Sequence, residues 1–567
     1  MPAAARALVA GVAALLALRL AAALLPGRAL WGLDLARDLP AGQAALALAA
    51  TIAACVPAVG RRLARLVPES RGPLAALTLA SAGALAAFVL AHPDRARFTG
   101  DASLRHGEFA RLERPETLAP QAARGDLLLH HALPRVVAAR TRWSPDDVGR
   151  AQGAVLAGLT ALAGWRLAVA AGASGLPGLA VLAAAACTGA LALQNGYAKA
   201  TVEVCALTTL LAVGVVRLAA DGRGLGSVGV ALALALLLHR SALALVPVWL
   251  AGVVVAARAG RFLGPHATRG TLVGALAPAA ALAAAGPELV RAIAGYDRAR
   301  HLPAGAGALL ARFAPERLAE AANVLALLVP LLPLAPLLVA LRPRPARRAL
   351  VLAATLVLPP LSLLVLVPPR QGLLRDWDVF AFAGSALAAV LAWRLGTLFA
   401  AEPRTRAVAG AVLLAAALPA LQWAWLQSDA ERAWARTADI LGRAPFLERE
   451  ERAQGFATLG LMRYARGEHA EARGHFERSL AISPHPRMLV QWGILAGLAG
   501  EPAEAMGYYR RALAIRPDLA SAWQGVAEVG ITLSDAAGVR EAVERLESLE
   551  PGNPALPRAR EWLGLAR

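Results

Sequence analysis

At 567 residues, 57% hydrophobic and with a mean hydropathy of +0.52, the chain is too apolar for a soluble globular protein of its length. Its formal charge of +19 does not point to nucleic acid: from Ser428 onward 18 Arg face 19 Asp plus Glu, which leaves 58 − 18 = 40 basic and 39 − 19 = 20 acidic residues before it. That excess lies in loops between apolar segments, where anionic headgroups and topology account for it, and the water-soluble part lacks the basic face that nucleic-acid binding needs.

Lys199 is the one lysine in the chain; every other cationic side chain is Arg, a bias that with abundant Ala, Gly and Leu reads as a GC-rich genome. Cys55, Cys187 and Cys205 all lie in apolar segments and read as small buried hydrophobes. Their spacing suits neither a disulfide framework nor a metal site.

Spanning helices need about 20 predominantly apolar residues. Candidates run roughly over 5–26, 41–59, 74–92, 152–170, 174–193, 202–219, 225–239, 241–257, 270–286, 319–341, 349–367, 379–399 and 407–426, about thirteen in all. The first is too long, and too soon followed by another, for a signal peptide, so an uncleaved helix is expected. Arg61, Arg62, Arg65 and Arg71 follow the second span, Arg258, Arg261 and Arg269 the eighth, and Arg342, Arg344, Arg347 and Arg348 the tenth. Placing these loops in the cytoplasm puts the N-terminus inside and the C-terminal part outside, across a cell inner membrane. The long polar loops His92–Arg150, Pro287–Arg317 and Pro368–Asp378 are then extracytoplasmic. Leu127–Ala139 within the first reads as amphipathic helix lying on the membrane.

Near Gln427, after Trp423 and Trp425, the composition turns water-soluble. The expected domains are therefore a polytopic membrane domain over 1–427 with its long outer loop at about 93–150, a linker helix over 428–452, and a repeat region over 453–567. In that region Pro484, Pro517 and Pro551 recur at intervals of 33 and 34 residues. Phe456, Gly460, Ala472 and Phe476 precede the first; Trp492, Gly493, Ala505 and Tyr509 the second; Trp523, Ala527, Val539 and Val543 the third. This pattern resembles the tetratricopeptide (TPR) repeat, with Pro557–Arg567 as the capping helix. The resemblance implies a TPR-like α-solenoid with a concave surface for a protein or peptide partner. A purely structural helical cap is the alternative.

Four polar clusters stand at the outer mouths of the expected helices, where a charge is either functional or solvated at a helix end. Phe98-Thr-Gly-Asp101 follows the third span, and the Asp101 carboxylate there suits a general base. Gln194-Asn-Gly-Tyr197-Ala-Lys199 precedes Glu203, and Lys199 is expected to pair with Glu203 at helical spacing. His239-Arg240 lies between the seventh and eighth spans, where Arg240 could fork a phosphate or snorkel to headgroups. Arg375-Asp376-Trp377-Asp378, with Arg370 nearby, leads into the twelfth; its paired acids could hold a divalent cation, bind sugar hydroxyls or anchor the helix. His130, His131, Tyr296 and Asp297 read as solvated loop residues.

The order of these clusters along about 74–400 resembles the GT-C superfamily of integral membrane glycosyltransferases, and is most similar to bacterial members with an extracytoplasmic TPR tail. The resemblance implies an all-α polytopic bundle and transfer of a sugar from a polyprenyl-phosphate donor on the outer face. It implies Asp101 as the catalytic acid that acts as base or orients the acceptor. It implies substrate binding by His239, Arg240, Arg375, Asp376 and Asp378, with no certain cofactor and a divalent metal possible. Two departures stand out: Lys199 replaces an acid expected soon after Gly196-Tyr197, and two extra spans let Asp34 and Asp38 compete for the base role. A non-catalytic membrane scaffold that recruits proteins through its repeats is the alternative, and a transporter, for which no internal repeat is found, comes third.

Overall fold

The computed structural model describes residues 3–68, 71–105, 112–115, 121–263, 268–298, 306–369 and 371–565. They fold into helices and turns, with no strand among the described residues. The chain divides into two compact units, Met1–Leu447 and Glu448–Arg567.

In the first unit the main helices are α1 (Ala3–Leu24), α2 (Ala41–Cys55), α3 (Pro57–Leu66), α4 (Arg71–Ala91), α5 (Pro145–Ala170), α6 (Gly175–Ala186), α7 (Thr201–Asp221), α8 (Leu225–Leu238), α9 (Val246–Arg258), α10 (Arg269–Arg291), α11 (Pro315–Leu328), α12 (Ala335–Ala340), α13 (Arg347–Leu366), α14 (Ala381–Ala401), α15 (Ala409–Gln427) and α16 (Ala430–Arg443). Nine helices among the described residues are long and apolar enough to cross a membrane, or eleven if each of two bent pairs counts as one. The bent pairs are α2 with α3, at 93°, and Pro315–Leu328 with Leu332–Ala340, at 101°. All thirteen expected segments are helical, but α6 and α8 have only 12 and 14 residues, about 18 and 21 Å at 1.5 Å per residue. A hydropathy window cannot detect where such a helix breaks, which is why the expected count exceeds the number of long helices.

Local signals account for the element boundaries. Ser144 caps α5 by accepting from the Asp147 N–H while the Asp147 carboxylate accepts from the Ser144 N–H, a complete capping box with Pro145 in the first turn. Large side chains such as Leu79, Leu276 and Val339 stand exposed on the outside of the unit, as in a bundle that faces hydrocarbon rather than water.

The bundle has two chemically distinct ends. At one, Arg348 donates to the carbonyls of Ala219 and Ala220, and Arg261 to that of Asp221, where α7 ends. At the other, where α7 begins, the polar clusters gather. The 21 residues of α7 separate these ends by about 32 Å, the thickness of a bilayer hydrocarbon core. The last residue of α15 belongs to the polar end: the Gln427 carbonyl accepts from the Arg95 and Ala96 N–H groups. Just beyond it, α16 lies back against the same end through a Trp434 Nε1 hydrogen bond to the Ala96 carbonyl, 2.8 Å.

The second unit contains three helix pairs and a last short helix: α17 (Arg449–Ala465) with α18 (His469–Ile482), α19 (Pro486–Leu498) with α20 (Pro502–Ile515), α21 (Ala520–Leu533) with α22 (Ala536–Leu549), then α23 (Ala555–Trp562). The residues that recur in the sequence fill its interior. Phe476 packs over Gly460, and Tyr509 lies over both Gly493 and Gly525 so closely that an added Cβ would sit 2.5 and 2.3 Å from its ring. Val539, Val543 and Leu546 are buried against α21.

Candidate functional site

The polar end is built around a carboxylate buried at the mouth of α14. Asp378 has no exposed surface, and its Oδ2 accepts from Tyr197 Oη at 2.9 Å and from Lys199 Nζ at 2.8 Å. The same ammonium lies 3.4 Å from Asp101 Oδ2, and the Asp101 N–H donates to Tyr197 Oη at 3.2 Å. Asp101, Tyr197, Lys199 and Asp378 thus form one hydrogen-bonded group drawn from three distant stretches of chain.

Gly100 is what lets them approach. It holds φ of +48°, a region that L side chains seldom adopt, and a Cβ there would fall 2.5 Å from Tyr197 Oη and 2.6 Å from Asp378 Oδ1. Its N–H donates to the Arg375 carbonyl at 2.8 Å, which ties the loop after α4 to the segment entering α14. The Arg375 guanidinium stacks over the Phe98 ring, 5.8 Å from its centre. Asp94 anchors the start of that loop by accepting from the Ala96 and Arg97 N–H groups, while its own N–H donates to the Asn195 carbonyl.

A second layer supports the first. Arg105 forks the buried carboxylate of Asp126 at 2.9 and 3.1 Å and donates to the Ala198 carbonyl, and Asp126 also accepts from the Ala200 N–H. His130 Nε2 meets Glu203 at 3.2 Å.

Electrostatics follow from these contacts. The Lys199 ammonium holds Asp101 below the usual carboxylate range, against burial that acts the other way. Burial works against the charge on Lys199, but Asp378 and Asp101 outweigh it and keep the ammonium protonated well above its ordinary value. Burial raises the Tyr197 phenol, so it stays neutral and donates. Burial, with Arg240 adding to it, drives His239 well below its ordinary value.

The expected site residues therefore divide. Asp101 and Asp378 meet through Lys199. Asp376 does not join them: its Oδ2 accepts from the Gln371 N–H at 3.0 Å, within the turn leading to α14. His239, neutral, turns its Nδ1 to Ser241 and caps the helical turn that follows. Arg240 is held bidentate by Asp297 at 2.7 and 3.0 Å, beside a cleft of about 600 Å³. Arg370 lies outside the described residues.

Three expectations need correction. Lys199 pairs with Asp378 and Asp101 rather than with Glu203, because the 3.6-residue neighbour is reached by a different partner, His130. His130 and Asp297 are not solvated loop residues, since each has its own ionic partner. Asp34 and Asp38 are unsuited to act as bases. Arg28 bonds both at 2.8 and 2.6 Å, and Arg436 of α16 bonds both as well, in a cluster where Arg28, Asp34 and Arg436 are almost wholly buried.

Sequence spacing places Tyr197 and Lys199 in a polar cluster but does not reveal their bonds to Asp378 and Asp101. A lone lysine in an arginine-only chain was the available signal.

An apolar groove of about 700 Å³ runs along α5, α7 and α8, lined by Leu156, Leu207 and Leu237 among others. It extends from Glu203 at the polar end to Arg217 near the other, about 21 Å along α7. Among the described residues no group of three or more His, Cys, Asp or Glu could hold a metal ion. Compared with known proteins, no family model matches the chain, and no curated protein matches its sequence.

Proposed function

We propose that the chain is a GT-C-like membrane glycosyltransferase that moves a sugar from a polyprenyl-phosphate carrier to an extracytoplasmic acceptor. The observation that carries this reading is the joining of Asp101, Tyr197, Lys199 and Asp378 at one end of the bundle. The apolar groove that ends at Glu203 supports it, since a lipid-linked donor needs both a polar centre and an adjoining track for its tail.

In this reading Asp101, the most exposed of the group, receives or orients the acceptor hydroxyl. Its lowered proton affinity makes it a weak base, so orientation is the larger part of its role. Lys199, with Arg375 near by, offers positive charge to the phosphate that departs. The arginine-rich end faces the cytoplasm, the site faces outward, and the N-terminus is cytoplasmic, in a bacterial cytoplasmic membrane. The second unit then acts as a TPR-like module that presents a protein or peptide partner on the outer side.

Native mass spectrometry of the purified full chain tests this. The expected result is a retained polyprenyl-phosphate sugar, lost on Leu207→Trp in the groove, with host surface glycans altered by Asp101→Asn. Absence of any such lipid, together with unaltered glycans, overturns the reading in favour of a scaffold.

A further inference from the structure

Lys199 stands where two carboxylates converge, 2.8 Å from Asp378 Oδ2 and 3.4 Å from Asp101 Oδ2. Two acids brought this close from sequence positions far apart repel one another unless a cation lies between them. A divalent ion in that place requires oxygen ligands on several sides at about 2.0–2.6 Å, supplied by carboxylates, carbonyls or water. The surroundings are instead rich in cations: two guanidinium groups, of Arg105 and Arg375, act on Asp101 together with the ammonium, and the neighbouring Tyr197 hydroxyl is already engaged with Asp378. An ammonium is a compact point charge, whereas a guanidinium is a flat fork, which gives a physical reason for the chain's single lysine at this position.

We propose that Lys199 is the resident cation of this centre, filling the position a bridging divalent ion would take, so that Asp101 and Asp378 do not bind Mg²⁺ or Mn²⁺. Asp378, wholly buried, anchors the ammonium; Asp101, whose side chain is 25% exposed, is the member that meets the substrate. Of the three N–H groups on Lys199, two are taken by these carboxylates. The third is the donor for an oxyanion of the substrate. This goes beyond the transferase reading, because it depends only on the ion geometry and holds for any oxyanion substrate.

Removing the lysine charge leaves two carboxylates facing each other, and a third carboxylate in its place completes a divalent site. The experiment is Mn²⁺ binding by the purified full chain, followed by electron paramagnetic resonance, for the wild type, Asp101→Asn, Lys199→Glu and the Lys199→Glu/Asp101→Asn pair. The expected result is identical Mn²⁺ binding by the wild type and Asp101→Asn, a gain of at least tenfold in affinity in Lys199→Glu, and loss of that gain in the pair. Mn²⁺ binding by the wild type that Asp101→Asn removes overturns the proposal. So does a folded Lys199→Glu chain with no added site. Should Lys199→Glu fail to fold, the comparison of the wild type with Asp101→Asn decides alone.

Discussion

Arg436→Met tests whether α16 is locked to the first loop by charge. Arg436 Nη1 lies 2.8 Å from Asp34, also bonds Asp38, and Nη2 donates to the Trp31 carbonyl at 2.5 Å. Its side chain is 2% exposed and that of Asp34 1%, so both charges are desolvated. At an effective dielectric of about 20, opposite charges about 3.5 Å apart attract by ~4–5 kcal/mol. Much of that offsets the cost of removing them from water, and truncating one partner of a buried pair typically costs ~3–5 kcal/mol. Arg28 still bonds both aspartates in the variant, which places the expected loss near the lower end, ~3 kcal/mol. Denaturant titration of the detergent-solubilised chain, read by Trp fluorescence, measures it. Arg473→Ala is the control: it breaks two contacts to Glu501 and Glu504, but its side chain is 47% exposed, and the cost stays within ~1 kcal/mol. The pair Arg436→Met/Asp34→Asn then costs less than the sum of the single changes by ~1 kcal/mol or more. Additivity within ~0.5 kcal/mol would show that the cluster does not act as a unit and would refute the reasoning.

Gly100→Ala places a Cβ against Tyr197 and Asp378 on a backbone that already has positive φ, so it is expected to cost ~1–3 kcal/mol and to separate Asp101 from Lys199; the same glycan change as in Asp101→Asn, with expression retained, checks it. Burial opposes the charge on His130, but Glu203 with Asp126 raises it above the ordinary 6.5, so the His130–Glu203 pair stabilises fully below about pH 6.5 and is lost as pH rises through the raised value. The melting temperature of the wild type, compared with that of His130→Gln, therefore falls as pH rises above 6.5, and a constant difference between them refutes the pairing. In the second unit, Tyr509→Ala empties the space between Gly493 and Gly525 at a cost of ~3–5 kcal/mol, seen as faster proteolysis after residue 448 with the first unit unchanged.

The division into an apolar and a water-soluble part, the helical character of both and the mouths of the helices where polar residues collect all follow from composition and spacing. Those signals are local: hydropathy over 20 residues and a proline every 33 or 34. The breaks at α2/α3 and α11/α12, and the shortness of α6 and α8, were not legible, because an apolar run reads alike whether it is straight or bent. Ion pairing was decided by the tertiary structure alone. Lys199 had an acid four residues away in Glu203, yet it bonds Asp378, 179 residues distant; Arg436 reaches Asp34 across 402. Glu203 is buried too but is already matched by His130, whereas the wholly buried Asp378 without a cation would cost several kcal/mol. Burial therefore chooses the partner, and burial exists only once the helices have packed.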